Sequence, residues 1–252
     1  MKRCWLSVWG LGIVLAAGCA GGDGEGEVAL TALMSEDAFE TSSVNDRVSW
    51  SMAASPREFS FPADHAAHTD FRIEWWYYTG HLLADNGRRF GYQLTFFRTG
   101  LHREPQNPSA WVVRDLYSAH FAVADLNEEQ HVFFHRINRA GVGLAGATTE
   151  NYSVWNGDWR ASIQDNQHRL VASDSGVVID LQLRPMKEPV SHGQQGLSRK
   201  GSTLGYTSYY HSLSRIDTTG TLTTNGETFI VTGESWMDHE FSSSVLEAGQ
   251  KG

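Results

Sequence analysis

Between residues 89 and 96 apolar and polar positions alternate: Phe90, Tyr92, Leu94 and Phe96 fall on one side, Arg89, Gly91, Gln93 and Thr95 on the other. A period of two is that of a β-strand with one buried face. Upstream lie the aromatic run Glu74-Trp75-Trp76-Tyr77-Tyr78-Thr79-Gly80 and then Asn86-Gly87, a dipeptide suited to the positive φ angles of a tight hairpin turn. The pattern predicts a hairpin pairing 74–84 with 88–98. Further strands are predicted at 114–124, 131–136, 153–163, 168–172, 177–183, 206–216, 219–223 and 228–233, with turn residues such as Asp165-Asn166, Asp174-Ser175-Gly176 and Asn225-Gly226 between them. No long window keeps a helical repeat, and residues 137–147 read as one short helical turn. Many short meandering strands favour an antiparallel β-barrel or strongly curved sandwich over an α/β fold. Inward aromatic residues would then line a cavity for an apolar ligand. The polar stretch 185–204, with Pro189, His192, Gly193, Gly196 and Gly201, reads as a long loop near a barrel mouth.

Composition narrows the class. Hydrophobic residues make up 40% of the chain, aromatic 12% and charged 19%, too much core-forming material for a disordered chain or a coiled coil. The net charge of −9 argues against a nucleic-acid partner, which requires a clustered basic face. Met1-Lys2-Arg3, the apolar run 11–17 and Leu15-Ala16-Ala17-Gly18-Cys19 read as a secretory signal too short to span a bilayer. Its end resembles the lipobox of bacterial lipoproteins, which implies acylation of Cys19 and a membrane anchor. Ala20 after the cysteine points to the outer membrane, facing the periplasm. Residues 1–18 are therefore expected to be a signal peptide, 19–55 a Gly-, Ser- and acid-rich tether, and 56–252 the folded part. With only Cys4 and Cys19 in the chain, no intramolecular disulfide, cysteine metal site or thiol nucleophile is expected in the mature protein.

Several motifs carry candidate chemistry. Gly141-Val142-Gly143-Leu144-Ala145-Gly146 matches a dinucleotide fingerprint but runs into a strand instead of opening a helix. His65, His68, Asp70 and Glu74 are zinc-ligand types, yet H-x-x-H lacks the helical metalloprotease spacing, and the segment reads as a polar loop capping the first strand. No metal or cofactor is expected. Gly201-Ser202-Thr203-Leu204-Gly205 fails the nucleophile-elbow spacing. In Glu234-Ser235-Trp236-Met237-Asp238-His239-Glu240-Phe241 a strand would place Asp238 and Glu240 on one face, opposite His239. If that face points into an aromatic cavity, burial and mutual repulsion raise at least one carboxyl pKa, and a neutral acid there could protonate an alkene. The alternative is a structural network tying Asp238 and His239 to Arg98 or Arg215.

Phe61-Pro62-Ala63-Asp64-His65 with His68, Phe71-Arg72-Ile73-Glu74-Trp75-Trp76-Tyr77-Tyr78-Thr79-Gly80, Phe90-Gly91-Tyr92-Gln93-Leu94-Thr95-Phe96-Phe97-Arg98 and Trp236-Met237-Asp238-His239-Glu240-Phe241 resemble the lipocalin-like AttH and carotenoid 1,2-hydratase (CrtC) family. Bacterial members are often described as predicted secreted hydrolases. The resemblance implies an all-β fold of two tandem lipocalin-like barrels, of which this chain carries the first, its C-terminal half apparently missing. The hydratase branch implies protonation of a polyene by an aspartic acid and capture of water by the resulting cation. The matching acid is Asp238, but Trp236 replaces a tyrosine, and Tyr209-Tyr210-His211 stands where the hydratases place His-x-Trp. Two readings remain open. One is a membrane-anchored lipocalin-like protein that binds a lipid, terpenoid or carotenoid-like ligand through Trp75, Trp76, Tyr78, Tyr92, Phe96 and Trp236, with an export system as a potential partner. The other is a hydro-lyase with Asp238, His239, Glu74 and Tyr210 as its catalytic group.

Overall fold

The computed structural model describes residues 49–105, 107, 109, 111–201 and 206–243. The lipobox, Cys19, most of the expected tether and the Gly201–Gly205 string's interior lie outside these residues. A 3-10 turn (Ala63–His65) precedes β1 (Ile73–Ala84) and β2 (Arg89–Gly100). β3 (Asp115–Asp125), β4 (Gln130–Arg139) and β5 (Ala145–Ala147) follow, then β6 (Ser153–Asn156), β7 (Trp159–Gln164), β8 (Gln167–Asp174) and β9 (Val177–Pro185). Short β10 (Val190–Ser191) and β11 (Leu197–Arg199) precede the long β12 (Thr207–Thr224) and β13 (Glu227–Ser242).

These strands form one antiparallel sheet in the order β4-β3-β2-β1-β13-β12-β9-β8-β7-β6-β5, rolled into a nearly closed, lipocalin-like barrel. The expected all-β barrel is therefore observed. Its seam runs between β4 and β5–β6. There Ala145 bridges Ala140 and Gly141, and the buried Asn156 side chain donates to Tyr117 O (3.0 Å) and Arg136 O (3.4 Å) while accepting from Asn138 (2.6 Å). Arg136 crosses the same seam, its guanidinium 4.2 Å from the Trp159 ring centroid and 2.9 Å from Ser173 O.

The first hairpin forms where Asn86-Gly87 predicts it, with Gly87 at φ 85°. Other boundaries move. The segment 153–163 is broken into β6 and β7 by Gly157 at φ 65°, and 206–216 fuses with 219–223 into β12, bent by a register shift between Leu213 and Ile216. Residues 137–147 form the end of β4 and β5 in place of a helical turn. The 185–204 segment is not a free loop, because β10 and β11 both pair with β12.

The barrel interior is filled by side chains. Trp76, Tyr78, Phe90, Leu94, Phe96, Phe121, Trp159, Leu170 and Ile179 are all completely or almost completely buried, the close packing expected of a core. At one end a space of about 290 Å³ is bordered by Val123, Val132, Phe134 and Val177. At the other end the N-terminal segment closes the barrel. Ser51 N–H donates to Asp70 O (2.9 Å), Tyr209 O–H donates to Ser55 O (2.9 Å), Trp50 packs on Gly100, and Ala53 is buried. The apolar Trp50 and Ala53 thus draw the last residues of the expected tether onto the fold.

Candidate functional site

Strands β1, β12 and β13 lie side by side, and their alternation presents different chemistry on each face. Inward from β1 come Glu74, Trp76 and Tyr78; inward from β13 come His239 and Phe241, and from β12 His211, which pairs with His239 across the ladder. The closing segment before β1 adds Asp64, His65 and His68. Glu74 is the hub. Its Oε1 meets His68 Nδ1 and His239 Nε2, each at 2.9 Å, and its Oε2 accepts from Arg98 Nε (3.3 Å) and the His68 backbone N–H (2.9 Å). Arg98 also reaches Asp115 (3.0 Å) and the carbonyls of His68 (3.0 Å) and Phe71 (2.6 Å). His68 Nε2 lies 2.9 Å from Asp64 Oδ1, and the His68 ring stacks on Phe241 at 3.6 Å between centroids.

Burial disfavours the Glu74 carboxylate, but hydrogen bonds from His239 and His68 and the Arg98 charge outweigh it and hold its pKa below the ordinary value. Asp64 is lowered in the same way, burial being overcome by His68, the Ser60 N–H and Arg57. Burial pulls His68 down, yet its bonds to Asp64 and Glu74 raise it overall. The remaining histidines have no such support. Burial, with neighbouring histidines, lowers His65 to about 2; burial lowers His168 to about 3 and drives His211 well below its usual value. His239 is also lowered by burial, its bond to Glu74 notwithstanding. Beside them Tyr78 O–H joins Tyr152 O–H and His168 Nδ1, both at 2.9 Å. Nδ1 of His211 and of His239 are buried with no hydrogen-bond partner.

The outer face of the same strands carries Asp238, with Trp236 and Glu240 on β13, Tyr210 and Ser212 on β12, and Trp75 and Tyr77 on β1. Asp238 Oδ1 accepts from Tyr210 O–H (2.9 Å), Trp236 Nε1–H (2.7 Å) and the Ser212 hydroxyl. Ser212 Oγ in turn lies 2.6 Å from His192 Nε2, and the His192 ring stacks on Tyr210 at 4.0 Å. Burial lowers the His192 pKa. Glu240 pairs with Lys200 (2.6 Å) and Ser208; burial raises its pKa, partly offset by Lys200. Next to Trp236 a space of about 320 Å³ is bordered by Thr79, Gly80, His81, Glu234 and Ser235.

The expected division of faces holds, since Asp238 and Glu240 lie opposite His239. The face's direction does not: Asp238 and Glu240 point outward, because Met237, His239 and Phe241 occupy the interior. His239 and Glu74 therefore stand on the other side of the sheet from Asp238 and Tyr210, and the expected catalytic group is split. The expected ligand residues are divided too, with Trp76, Tyr78, Tyr92 and Phe96 packed in the core and Trp75 and Trp236 half-buried outside. The anticipated network joins His239 to Arg98 through Glu74, whereas Arg215 pairs with Glu234 (3.1 Å). His192, Ser212, His168 and Tyr152 had no motif to reveal them; only the sheet register assembles them.

The sequence pattern of the AttH-like family matches residues 52–252. A crystal structure described as AttH, from Nitrosomonas europaea, is 31% identical, with a TM-score of 0.71 over 79% of this chain and 60% of that one. Kievitone hydratase from Nectria haematococca is 12% identical, with a TM-score of 0.56 over 80% of this chain and 57% of that one, a likeness of fold alone. The chain thus spans less than two thirds of the length of either structure. No curated protein matches the chain.

Proposed function

The chain belongs to the AttH-like family, and on that premise we propose that it is a lipocalin-like binding domain that takes an apolar ligand of the lipid, terpenoid or polyene class against the outer face of β1, β13 and β12. One observation carries the reading: Asp238 takes donors from Tyr210, Ser212 and Trp236 on a single oxygen among half-buried aromatic side chains, and the same Trp236 borders a space of about 320 Å³. Small-ligand sites combine apolar walls with a few fixed polar groups in volumes from about 300 Å³ upward. Trp236, Trp75 and Tyr77 would supply the walls and Asp238 the polar anchor for a hydroxyl or other donor on the ligand. Acylation of Cys19 would hold the domain on a membrane, where such ligands concentrate.

The test is native mass spectrometry of protein purified from its own membranes, followed by titration of the delipidated protein with retinol as an apolar polyene probe. Trp236→Ala is expected to weaken retinol binding about tenfold, the loss of an aromatic contact of about 1.4 kcal/mol. Unchanged affinity in both Trp236→Ala and Asp238→Asn would overturn the reading.

A second reading places water addition at the same site, favoured by the chain His192–Ser212–Asp238, which could return a proton to the acid after it is given to an alkene. In that case Asp238→Asn abolishes hydration of an acyclic polyene while leaving the polyene bound.

A further inference from the structure

On the inner face, His68 Nδ1, Glu74 Oε1 and His239 Nε2 lie within 4.8 Å of one another. We propose that this trio is a binding site for a divalent transition metal of the zinc type, separate from the outer-face site and independent of it. Zinc takes imidazole nitrogen and carboxylate oxygen at about 2.0–2.2 Å. Tetrahedral ligand atoms at that radius stand about 3.3–3.6 Å apart, so the present 2.9 Å separations from Glu74 Oε1 would open by about half an ångström while the two imidazole nitrogens, within 4.8 Å of each other, draw together.

The surroundings are those of a metal site. A ligating histidine ordinarily hands its other ring nitrogen to a carboxylate or carbonyl, which fixes the tautomer and ring orientation; His68 Nε2 does so with Asp64 at 2.9 Å. Glu74 is steadied by the His68 N–H, which reaches both its oxygens (3.0 and 2.9 Å), and by Arg98 on Oε2 alone, so the guanidinium sits on the oxygen opposite the two imidazole contacts. A second observation comes from outside the trio. His211 Nδ1, like Nδ1 of the trio's own His239, is fully buried and has no partner among the described residues, so the interior has more polar capacity than these residues satisfy. His211 stands 4.9 Å from His239 between ring centroids, so its unpartnered nitrogen lies in the immediate surroundings of the trio. Entry is by way of His68, whose side chain is 12% exposed, while Glu74 and His239 are at 0%.

Binding requires neutral imidazoles with a lone pair at His68 Nδ1 and His239 Nε2, so the metal displaces the protons these atoms now share with Glu74. Three protein ligands and one open position are the arrangement of a metal that acts on a bound molecule, in contrast to a closed four-ligand structural site.

The experiment uses the full-length protein stripped with chelator, titrated with Zn²⁺ by calorimetry and with Co²⁺ by visible absorption. One equivalent of metal is expected, with cobalt bands of a four-coordinate nitrogen and oxygen set. His239→Gln is expected to abolish the site, and Asp64→Asn to weaken it about 10–100-fold. His135→Gln, on the outer face, is expected to leave it intact. Absence of stoichiometric binding by the wild type, an octahedral cobalt spectrum, or equal affinity in Asp64→Asn would overturn the proposal. If His239→Gln fails to fold, the cobalt spectrum and Asp64→Asn still decide it. Retinol binding is read separately, so failure here leaves the outer-face reading standing.

Discussion

On the inner side of β13, His239 and Phe241 are sealed from solvent, and His239 meets Glu74, which Arg98 and His68 also hold. One residue along, on the outer side, Asp238 is half-buried and its partners are neutral hydroxyls and an indole. The two sites are separated only by the thickness of one sheet, yet they differ in what holds their charges. Inside, the Glu74 carboxylate is offset by the Arg98 guanidinium and bonded by two imidazoles, and each group depends on the others. Outside, dipoles orient the Asp238 carboxylate, which has no ion-pair partner among the described residues, and leave it able to meet something that is not protein. Interdependent buried charges are costly to disturb, whereas a dipole-held acid at the surface can change with little effect on folding.

The largest test of this contrast is acidification. His65, His168 and His211 have folded pKa values below the unfolded 6.5, at about 2 and about 3 for the first two. Below pH 6.5 the unfolded chain binds protons that the folded chain refuses, so stability falls with pH, by about 1.4 kcal/mol per unit for each such histidine. His68, raised in the fold, works in the other direction: its contribution is present below 6.5 and lost as pH rises through its folded value. Urea unfolding at pH 7 and pH 5 should show the steep loss. A flat profile would mean that the inner histidines are not held neutral.

Glu74→Gln comes next. It removes the carboxylate that Arg98 and His68 share and leaves each with one acidic partner, Asp115 and Asp64, so the cost by denaturant unfolding is expected to reach at most that of a fully broken buried pair, about 3–5 kcal/mol. A smaller effect follows from Gly80→Ala, where a Cβ would stand 2.7 Å from the Tyr92 ring and 2.8 Å from Glu234 O. Overpacking of about 1–3 kcal/mol is expected, read as a lower Tm. Least affected should be Asp238→Asn, since Asn keeps an oxygen for the Tyr210, Ser212 and Trp236 donors. A stability change within about 0.5 kcal/mol is expected, with retinol affinity or polyene hydration reduced. A loss as large as that of Glu74→Gln would erase the distinction between the faces.

Much of the architecture was legible in the chain. The Asn86-Gly87 turn and the alternation through Phe90, Tyr92, Leu94 and Phe96 fix the first hairpin and its inward face, because both signals are local. The opposition of Asp238 to His239 was legible for the same reason. Which of them faces inward was not, since Trp236 gives the outer face an aromatic group while Met237 and Phe241 give the inner face its own. The inner cluster was less visible still. His211 meets His65 across 146 residues and His239 meets Glu74 across 165, and nothing in the spacing along the chain encodes either contact. Of the inner trio, His68 and Glu74 were visible near one another in the chain, but His239 comes from β13, 165 residues beyond Glu74, and His65 of the H-x-x-H pair is not a member of it.

The seam between β4 and β5–β6 sets how this molecule yields under force or thermal agitation. A sheet hydrogen-bonded all the way round has no preferred place to tear; here the ladder is interrupted, and the gap is stitched mainly by the Asn156 amide and the Arg136 guanidinium. Opening should begin there, at the edges farthest in sheet order from β1 and β13, so the barrel can breathe at its seam while β1, β12 and β13 stay locked together.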